Sequence, residues 1–382
     1  MPPRPRAHNR LDAPGRRAAQ IPGFEDVRLS PEDAGASVEA TAEQFALPRS
    51  GLGRHYDVLA ISGGAAGGAF GAGALVGLTR SGRRPEFALV TGVSTGALIA
   101  PFAFLGPAWD GRMREAYTGG HAANSLGIAG FSAGREPGLL RSEALERLIY
   151  PFIDDALLEA TAEQHARGRR LLVATTDLDR QSPCIWDMGA IAARGGPEAT
   201  RLFRDVLAAS ASLPGLFPPR RFAVEADGVA CEEMHVDGGV SAPLFVLPET
   251  LLRQRELGQG MRRARLHVIV NMVLDPEPRT TPPGVGQILV RSFDTLLRVS
   301  YRQALSVVAT FCAAHALPLG VASIPPSAAA TANGAMLNFD TSAMGRMFDA
   351  AAVAAEAEGF WRPAFPWPDA DGGLPPLIAA RI

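Results

Sequence analysis

The chain has 382 residues, of which 47% are hydrophobic and 20% are charged, so it can bury a sizeable core. Its formal net charge of -2 argues against a nucleic-acid binder, which would carry a basic excess. All 37 basic residues are Arg, which excludes a lysine nucleophile, a lysine Schiff base and a P-loop.

No metal or cofactor site is predicted from the cysteines and histidines. The three cysteines, Cys184, Cys231 and Cys312, are too widely spaced for a disulfide framework or a CxxC site, and we interpret them as buried apolar thiols. The seven histidines form no HExxH or HxH pair.

The composition divides the chain into three parts. Residues 1–55 combine scattered Pro, Gly and charge and predict an irregular N-terminal arm, with arginines but no apolar stretch of a secretory signal. Residues 56–360 predict one ordered domain, and residues 361–382 predict a C-terminal tail. No segment reaches the ~18 apolar residues of a membrane span. A cytoplasmic or peripheral membrane location is the default expectation.

From residue 56 onward, short apolar runs alternate with helical patterns, which favours a mostly parallel sheet covered on both faces. Strands are predicted at Tyr56–Ser62, Phe87–Thr91, Arg170–Thr176, Glu233–Val236 and Leu266–Met272. Helices are predicted from the glycine-rich turn to Thr79 and at Thr95–Leu105, Arg141–Ala166, Ala199–Ser210, Gln287–Ala316 and Thr341–Gly359.

A run of small residues follows the first predicted strand. Such a run lets backbone N–H groups converge on an anion, as an oxyanion hole requires. A phosphate-binding turn is the competing interpretation, because Gly71, Gly73 and Gly77 follow with a G-x-G-x-x-x-G spacing, but the second strand lacks the acidic residue that a dinucleotide fold uses. Close packing of the helix on the sheet is a third interpretation. The predicted oxyanion segment comprises Gly63, Gly64, Ala65, Ala66, Gly67 and Gly68.

A G-x-S-x-G pattern separates the second predicted strand from the helix after it. A nucleophile elbow turns so sharply that side chains at both outer positions would clash, which explains the two glycines. The N-terminus of the following helix favours developing negative charge. The pattern predicts Ser94 as a nucleophile, although an ordinary strand–helix turn has the same spacing. Its residues are Gly92, Val93, Ser94, Thr95 and Gly96.

An acid followed by two glycines, Asp237-Gly238-Gly239, ends the predicted strand that contains His235. A turn aspartate would explain this sequence alone, but a serine nucleophile needs a base. A Ser-His-Asp triad would use a histidine at a strand-end loop, whereas His267 lies within a predicted strand and His315 at the end of a helix. His235 alternates with Asp237, so it either faces the same way or packs in the core.

Together these motifs resemble the patatin-like phospholipase family, which has a glycine-rich strand end, a G-x-S-x-G and a distant Asp-Gly-Gly in this order. The segment Ala209–Pro219 is similar to the family's Ala-Ser-Ser-Ala-x-Pro-x-x-Phe-Pro. The resemblance covers about Tyr56 to Leu247. It implies a three-layer α/β/α sandwich with a mostly parallel central sheet, a Ser94–Asp237 dyad without histidine, and an oxyanion hole in the glycine-rich segment.

The glycine-rich turn departs from the family's usual Gly-Gly-Gly-x-Arg/Lys-Gly. Ala65 stands at the third glycine, and Gly67 stands at the basic residue. Alanine keeps its N–H, so the oxyanion hole survives if Ala65 avoids a positive φ. The missing base removes a positive charge that would help bind an anionic head group. The departure therefore bears on the substrate class more than on the chemistry.

The sequence thus predicts a lipid acyl hydrolase of the phospholipase A, lysophospholipase or esterase type, acting through an acyl-enzyme on Ser94. A Ser-His-Asp α/β-hydrolase esterase and a non-catalytic nucleotide- or lipid-binding protein are the alternatives. An acyl chain needs an apolar trough, and Leu213, Leu216 and Phe217 are candidates for it, although core packing is the favoured explanation for them.

The predicted partner is a lipid or acyl-ester substrate. Peripheral membrane contact is compatible with the basic arm and with Trp361, Phe365 and Trp367, although a solvated tail explains these residues as well. No nucleic-acid partner and no transmembrane segment are predicted.

Overall fold

The computed structural model describes residues 19–29, 56–126, 137–226, 228–247, 264–275, 278, 280–326 and 338–363. Within them, ten strands form one mixed sheet. The strands are β1 (Arg28–Leu29), β2 (Tyr56–Ile61), β3 (Leu89–Val93), β4 (Arg170–Asp177), β5 (Ser182–Asp187), β6 (Arg220–Ala226), β7 (Val229–Asp237), β8 (Ala264–Val270), β9 (Leu319–Ser323) and β10 (Arg362–Pro363). The helices are α1 (Gly68–Arg80), α2 (Thr95–Leu105), α3 (Asp110–Thr118), α4 (His121–Leu126), α5 (Ser142–Ile149), α6 (Asp155–Ala166), α7 (Met188–Arg194), α8 (Gly196–Ser210), α9 (Val285–Ala314) and α10 (Thr341–Glu356).

Five neighbouring strands, in the order β4-β3-β2-β8-β9, run parallel. Along the chain, β3 follows β2 on one side of it and β4 lies beyond β3, whereas the later strands β8 and β9 lie on the other side of β2. The order of strands therefore reverses between β2 and β8. In open α/β sheets, a ligand site usually lies at the carboxyl ends of the strands beside such a reversal.

Alternate residues of the central strands face two separate apolar layers. Leu59 and Ile61 of β2 pack in the layer that α1, α2 and α8 cover, whereas Val58 and Ala60 pack in the layer that α9 covers. The three-layer α/β/α sandwich predicted from the sequence is confirmed. Among the described residues, no helix combines the length and apolarity needed to cross a bilayer.

The edges of the sheet differ from the prediction. Strands β1, β5, β6, β9 and β10 were not predicted, and apart from β9 they pair antiparallel. They are short or, as in β6, expose every second side chain, so they lack the continuous apolar signal of the central strands. The single helix predicted over Arg141–Ala166 is two helices, α5 and α6, because Pro151 between them lacks an N–H donor.

Parts of the predicted arm and tail pack on the domain. In the arm, Phe24 and Val27 are buried, and β1 pairs with β5. In the tail, β10 pairs with β9, and the Trp361 ring lies 4.9 Å from the His267 ring, so this tryptophan packs on the protein. Residues 1–18, 30–55 and 364–382, which include Phe365 and Trp367, lie outside the described residues.

Helix packing explains the small residues of α1. A Cβ at Gly73 or Gly77 would collide with backbone carbonyl groups of α10, so these glycines allow two helices to approach closely. Gly71 instead faces Asn271 and Ile269 at the sheet. Cys184 and Cys312 are buried as expected, whereas Cys231 is only partly buried.

Candidate active site

Ser94 lies on a sharp turn between β3 and α2. Its φ of 56° lies in the left-handed region, where a residue with a Cβ is strained. A Cβ at Gly96 would collide with the carbonyl oxygens of Ile61 and Ser62, and one at Gly92 would lie 2.6 Å from the oxygen of Gly96. The turn therefore requires both glycines, as a nucleophile elbow does.

The side chains of Ser94 and Asp237 meet. Ser94 Oγ donates a hydrogen bond to Asp237 Oδ2 at 2.6 Å, and the N–H of Gly239 donates to Asp237 Oδ1 at 2.7 Å. Asp237 reaches this place because β7 pairs antiparallel with β4, which sets Asp237 opposite Thr175. A Cβ at Gly238 would collide with a carbonyl oxygen of β4, which explains the first glycine of the Asp-Gly-Gly sequence.

The Asp237 carboxyl is only 2% exposed. Burial raises its pKa from the usual 3.8 to about 7, although the hydrogen bonds from Ser94 and from the Gly239 N–H act in the opposite direction. Such a carboxyl accepts a proton from a hydroxyl more readily than an ordinary aspartate does, while it is still ionised in part of the molecules at neutral pH.

The end of α8 and the residues just after it hold the backbone of Ser94 and of Asp237. The hydroxyl of Ser210 accepts a hydrogen bond from the Ser94 N–H at 3.0 Å and donates to the Ala174 carbonyl at 2.7 Å. The carbonyl of Ser212 accepts from the Asp237 N–H at 2.9 Å. The Ala-Ser-Ala-Ser sequence thus has a structural reason: its serines fix the elbow and the aspartate relative to one another.

Residues of the predicted oxyanion segment have two different surroundings. Gly64 and Ala65 border the same cavity as Ser94. The N–H groups of Gly67 and Gly68 instead donate to carbonyl groups within the turn, to Gly64 and to Ala65. Gly64 and Ala65 are therefore the members of the segment that border the cavity beside Ser94.

Ala65 has a φ of 49°, so the condition set from the sequence, that it avoid a positive φ, is not met. The alanine adopts a left-handed conformation that a glycine would adopt without strain. A residue with a Cβ pays roughly 1–2 kcal/mol for that conformation. The geometry of the turn is thus retained at a local cost in stability.

Asn271, just after β8, holds the glycine-rich segment and was not predicted. It is 1% exposed, its Nδ2 donates to the Ser62 carbonyl at 2.8 Å, and its Oδ1 accepts from the Gly71 N–H at 3.0 Å. A Cβ at Gly64 or Gly67 would collide with its carbonyl oxygen. The close approach of Asn271 therefore leaves no room for a basic side chain at position 67. A polar residue at the end of an apolar strand was the available sequence signal.

Tyr301 of α9 is a second residue that the sequence interpretation missed. A Cβ at Gly63 would lie 2.7 Å from Tyr301 Oη and 3.0 Å from Ser94 Cβ, so the hydroxyl lies beside the elbow. Burial and the charge of Asp237 raise the pKa of Tyr301, so the hydroxyl keeps its proton as a donor. Tyr301 continues the predicted apolar face four residues beyond Leu297, which was its sequence signal.

The histidines considered from the sequence are engaged elsewhere. His235 is buried, with Nδ1 2.9 Å from Thr175 Oγ1 and Nε2 3.4 Å from Glu233 Oε2. His267 Nε2 lies 2.9 Å from a carboxyl oxygen of Asp57. The ring of His315 packs on Phe311.

An open cavity lies beside Ser94 and Asp237. The three residues considered for an acyl trough, Leu213, Leu216 and Phe217, line it, so they border the site as well as packing on the core. A neighbouring open cavity shares Ala65, Thr95 and Leu98 with it. The space around Ser94 is therefore mostly apolar, which suits an aliphatic chain.

A serine on a strand–helix elbow in a three-layer α/β/α sandwich places the chain among α/β proteins with a nucleophile-elbow architecture. Its residues 59–248 match the model of the family described as Patatin-like phospholipase. The chain therefore contains a domain of the patatin-like phospholipase family, which indicates lipid acyl hydrolase activity.

Among solved structures, the chain is similar to the crystal structure of VipD from Legionella pneumophila at 13% sequence identity and a TM-score of 0.32. The similarity covers 79% of this chain and 70% of that chain. No curated protein matches the chain.

Proposed function

We propose that the protein hydrolyses lipid acyl esters with Ser94 as nucleophile and Asp237 as general base. The supporting observation is the 2.6 Å hydrogen bond from Ser94 Oγ to a buried carboxyl whose pKa is raised to about 7. Each pKa unit corresponds to about 1.4 kcal/mol, so burial brings the base closer in strength to the hydroxyl it must deprotonate.

In the first half of the reaction, Ser94 Oγ attacks the ester carbonyl carbon while its proton moves to Asp237 Oδ2. The carbonyl oxygen becomes an oxyanion that accepts hydrogen bonds from the N–H groups of Gly64 and Ala65. One such donor is typically worth about 3–4 kcal/mol in the transition state. The C–O bond to the alcohol then breaks, and the alcohol oxygen takes the proton from Asp237, which leaves an acyl group on Ser94.

In the second half, a water molecule gives a proton to Asp237 and attacks the acyl carbonyl carbon. The new oxyanion uses the same N–H groups. When the bond to Ser94 Oγ breaks, the serine recovers its proton from Asp237, and a carboxylic acid leaves. Asp237 therefore acts as base and then as acid in each half, and no histidine is required.

The substrate is an ester with an aliphatic acyl chain. The cavity walls beside Ser94 are Leu, Phe and Ala side chains, which stabilise a chain of CH₂ groups at about 0.8 kcal/mol for each one buried. The family's basic residue is replaced by Gly67 at the glycine-rich turn. Recognition therefore rests on the acyl chain more than on a charged head group.

A fluorophosphonate probe, which reacts with activated serines, tests the proposal directly. We expect it to label the native protein and not Ser94→Ala, while the exposed-serine control Ser292→Ala labels like the native protein. Hydrolysis of p-nitrophenyl esters should fall by at least ~10³-fold in Ser94→Ala. Labelling that persists in Ser94→Ala, or a folded native protein that neither labels nor hydrolyses any ester, would contradict the proposal.

A further inference from the structure

The first turns of α9 form an apolar tip on the surface. All six residues from Val285 to Val290 are exposed. Six residues cover more than one helical turn, so every side of the helix is exposed here and its end projects from the domain. The apolar tip consists of the four aliphatic side chains in this stretch: Val285 is 75% exposed, Ile288 47%, Leu289 64% and Val290 59%.

Single exposed aliphatic residues are common, but four neighbours on a projecting end indicate an interaction site. Helix α10 offers the contrast, because among its described residues Val353, at 66%, is the one large apolar side chain of comparable exposure. The tip is therefore more than the usual scatter of apolar side chains on a surface.

An apolar stripe joins the tip to the cavity beside Ser94. Leu289, Phe293, Leu297 and Tyr301 are spaced by four residues and so lie along one side of α9. Exposure falls along this stripe from 64% at Leu289 to 5% at Leu297 and 1% at Tyr301. The last three of these side chains line the cavity. A continuous apolar surface thus runs from the projecting end of the helix to the elbow.

The charges of α9 follow the tip. The helix carries three arginines, Arg291, Arg298 and Arg302, against one aspartate, Asp294, so its net charge is positive. Arg291 lies six residues after Val285, which is about 9 Å along the axis. Interfacial segments bury apolar side chains roughly 5–10 Å into a membrane with basic residues at the head groups. The distance of about 9 Å from Val285 to Arg291 agrees with this depth, with the apolar tip in the membrane and the arginine at the head groups.

We propose that the apolar tip docks into the surface of a lipid bilayer that contains anionic lipid, and that the stripe guides an acyl chain from the bilayer to Ser94. The guidance step rests on the proposed function, whereas docking does not require hydrolysis. A second copy of the chain, or a protein partner with an apolar groove, is the competing occupant that the experiment must separate.

Flotation with vesicles of phosphatidylcholine and phosphatidylglycerol tests docking in the Ser94→Ala background, where the lipid is not consumed. The test variant is Ile288→Asp with Val290→Asp, which leaves the stripe intact. Both positions are exposed, and Asp near a helix N-terminus is favourable, so the fold is retained. The matched control is Val353→Asp, an exposed valine on α10. Circular dichroism and urea unfolding verify that each variant is folded.

We expect vesicle binding to fall at least ~10-fold in the tip variant, since 1.4 kcal/mol is tenfold and one buried aliphatic side chain is worth more than that. Val353→Asp should bind within about twofold of its parent. The proposal would be overturned if the tip variant bound vesicles as well as its parent does. It would also be overturned if the tip variant and Val353→Asp lost vesicle binding equally. A native dimer that the tip variant dissociates, without vesicle binding, would identify the tip as a self-association surface and would also overturn it.

A second measurement separates docking from the proposed function. With Ser94 intact, the ratio of vesicle hydrolysis to hydrolysis of a soluble short-chain ester should fall at least ~10-fold in the tip variant. If the native protein hydrolyses neither substrate while vesicle binding still depends on the tip, docking holds and the proposed function fails. If hydrolysis is intact but the ratio is unchanged in the tip variant, the docking proposal fails alone.

Discussion

Strand β7 holds two buried carboxyl groups in opposite states, one at its middle and one at its C-terminal end. Glu233 and Asp237 lie four residues apart on the same strand. Burial raises the pKa of Glu233, but hydrogen bonding to His235 and the charge of Arg28 outweigh burial and hold the pKa below its usual range. Burial raises the pKa of Asp237 to about 7, because the groups that oppose it are a hydroxyl and a backbone N–H.

The partners, rather than the burial, account for this difference. At Glu233, Arg28 forms an ion pair at 2.5 Å, and side-chain oxygen and nitrogen atoms of Asp177, Glu233 and His235 lie within 4.8 Å of one another. Opposite charges there stabilise an ionised carboxylate. At the Asp237 end, neutral donors leave the carboxyl basic. A strand can therefore hold one carboxyl for structure and another, ready to accept a proton, for chemistry.

The largest expected effect comes from removing the basic carboxyl. Asp237→Asn keeps the shape but cannot accept the Ser94 proton, so ester hydrolysis should fall by ~10³-fold or more. The same change should stabilise the protein at pH 8. The pKa of Asp237 is about 7 in the folded chain and about 3.8 in the unfolded chain, so its burial costs stability progressively from about pH 4 to pH 7.

Urea unfolding of Asp237→Asn and of the native protein, at pH 4 and at pH 8, measures this second effect. The stability gain should reach a few kcal/mol at pH 8, since each pKa unit is worth about 1.4 kcal/mol, and should shrink toward pH 4. A variant that is less stable than the native protein at pH 8 would show that β7 stabilises the ionised form of Asp237 as it does that of Glu233.

The opposite result is expected at Glu233, in the middle of the strand. Glu233→Gln leaves the guanidinium of Arg28 buried without its anion, which should cost on the order of 3 kcal/mol in the free energy of unfolding. Hydrolysis by the folded variant should stay within about threefold of native. The matched control is Glu232→Gln, whose more exposed pair with Arg221 is 3.9 Å long and should contribute less than ~1 kcal/mol. If both variants lost the same free energy of unfolding, the buried ion pair of Glu233 with Arg28 would have no special structural role.

A smaller expected effect, on the pH dependence of hydrolysis, tests whether the base is aspartate or histidine. The kcat/KM for a soluble ester should fall on the acid side with an apparent pKa near 7, because Asp237 must be ionised to accept the proton. An unperturbed imidazole titrates near ~6.5, so the profile alone does not identify the group. His235→Gln should keep this limb and stay within about threefold of the native rate. A shifted limb or a loss of ~10³-fold would favour a Ser-His-Asp triad instead.

The sequence predicted the centre of the fold better than its edges. Strands β2, β3, β4 and β8 are continuous apolar runs, because helices bury both of their faces. The edge strands lack that signal. Ser94 and Asp237 were predicted from their motifs, but the pairing of β7 with β4, which brings them together, is a long-range contact that no local pattern contains.

Single residues without a motif were missed or left open in the site. Asn271, just after β8, contacts the glycine-rich segment, and Tyr301 of α9 lies beside the elbow. The sequence signals of these two residues, a polar residue after an apolar strand and the apolar face of a helix, do not by themselves indicate a site. The conformation of Ala65 was left conditional, because its φ is set by the turn that Asn271 packs against. The reactive end of β7 is Asp237, whose carboxyl is made basic by burial. Two residues that border the same cavity, Ser94 and Ala65, have a positive φ.

The smallest expected effect tests whether that strain is real. Ala65→Gly should stabilise the protein by about 0.5–1 kcal/mol, because glycine relieves the ~1–2 kcal/mol cost of a left-handed alanine and gives back part of this gain as unfolded-chain entropy. The matched control is Ala66→Gly at the next position of the short 3₁₀ helix Ala65–Gly67, where φ is not among the positive values and the change should destabilise by roughly 0.5–1 kcal/mol. Urea unfolding measures both. Opposite signs at adjacent alanines would show that the reactive end carries a local conformational cost as well as a buried charge. A loss of stability in both variants would leave the charge as the single difference between the Asp237 and Glu233 positions of β7.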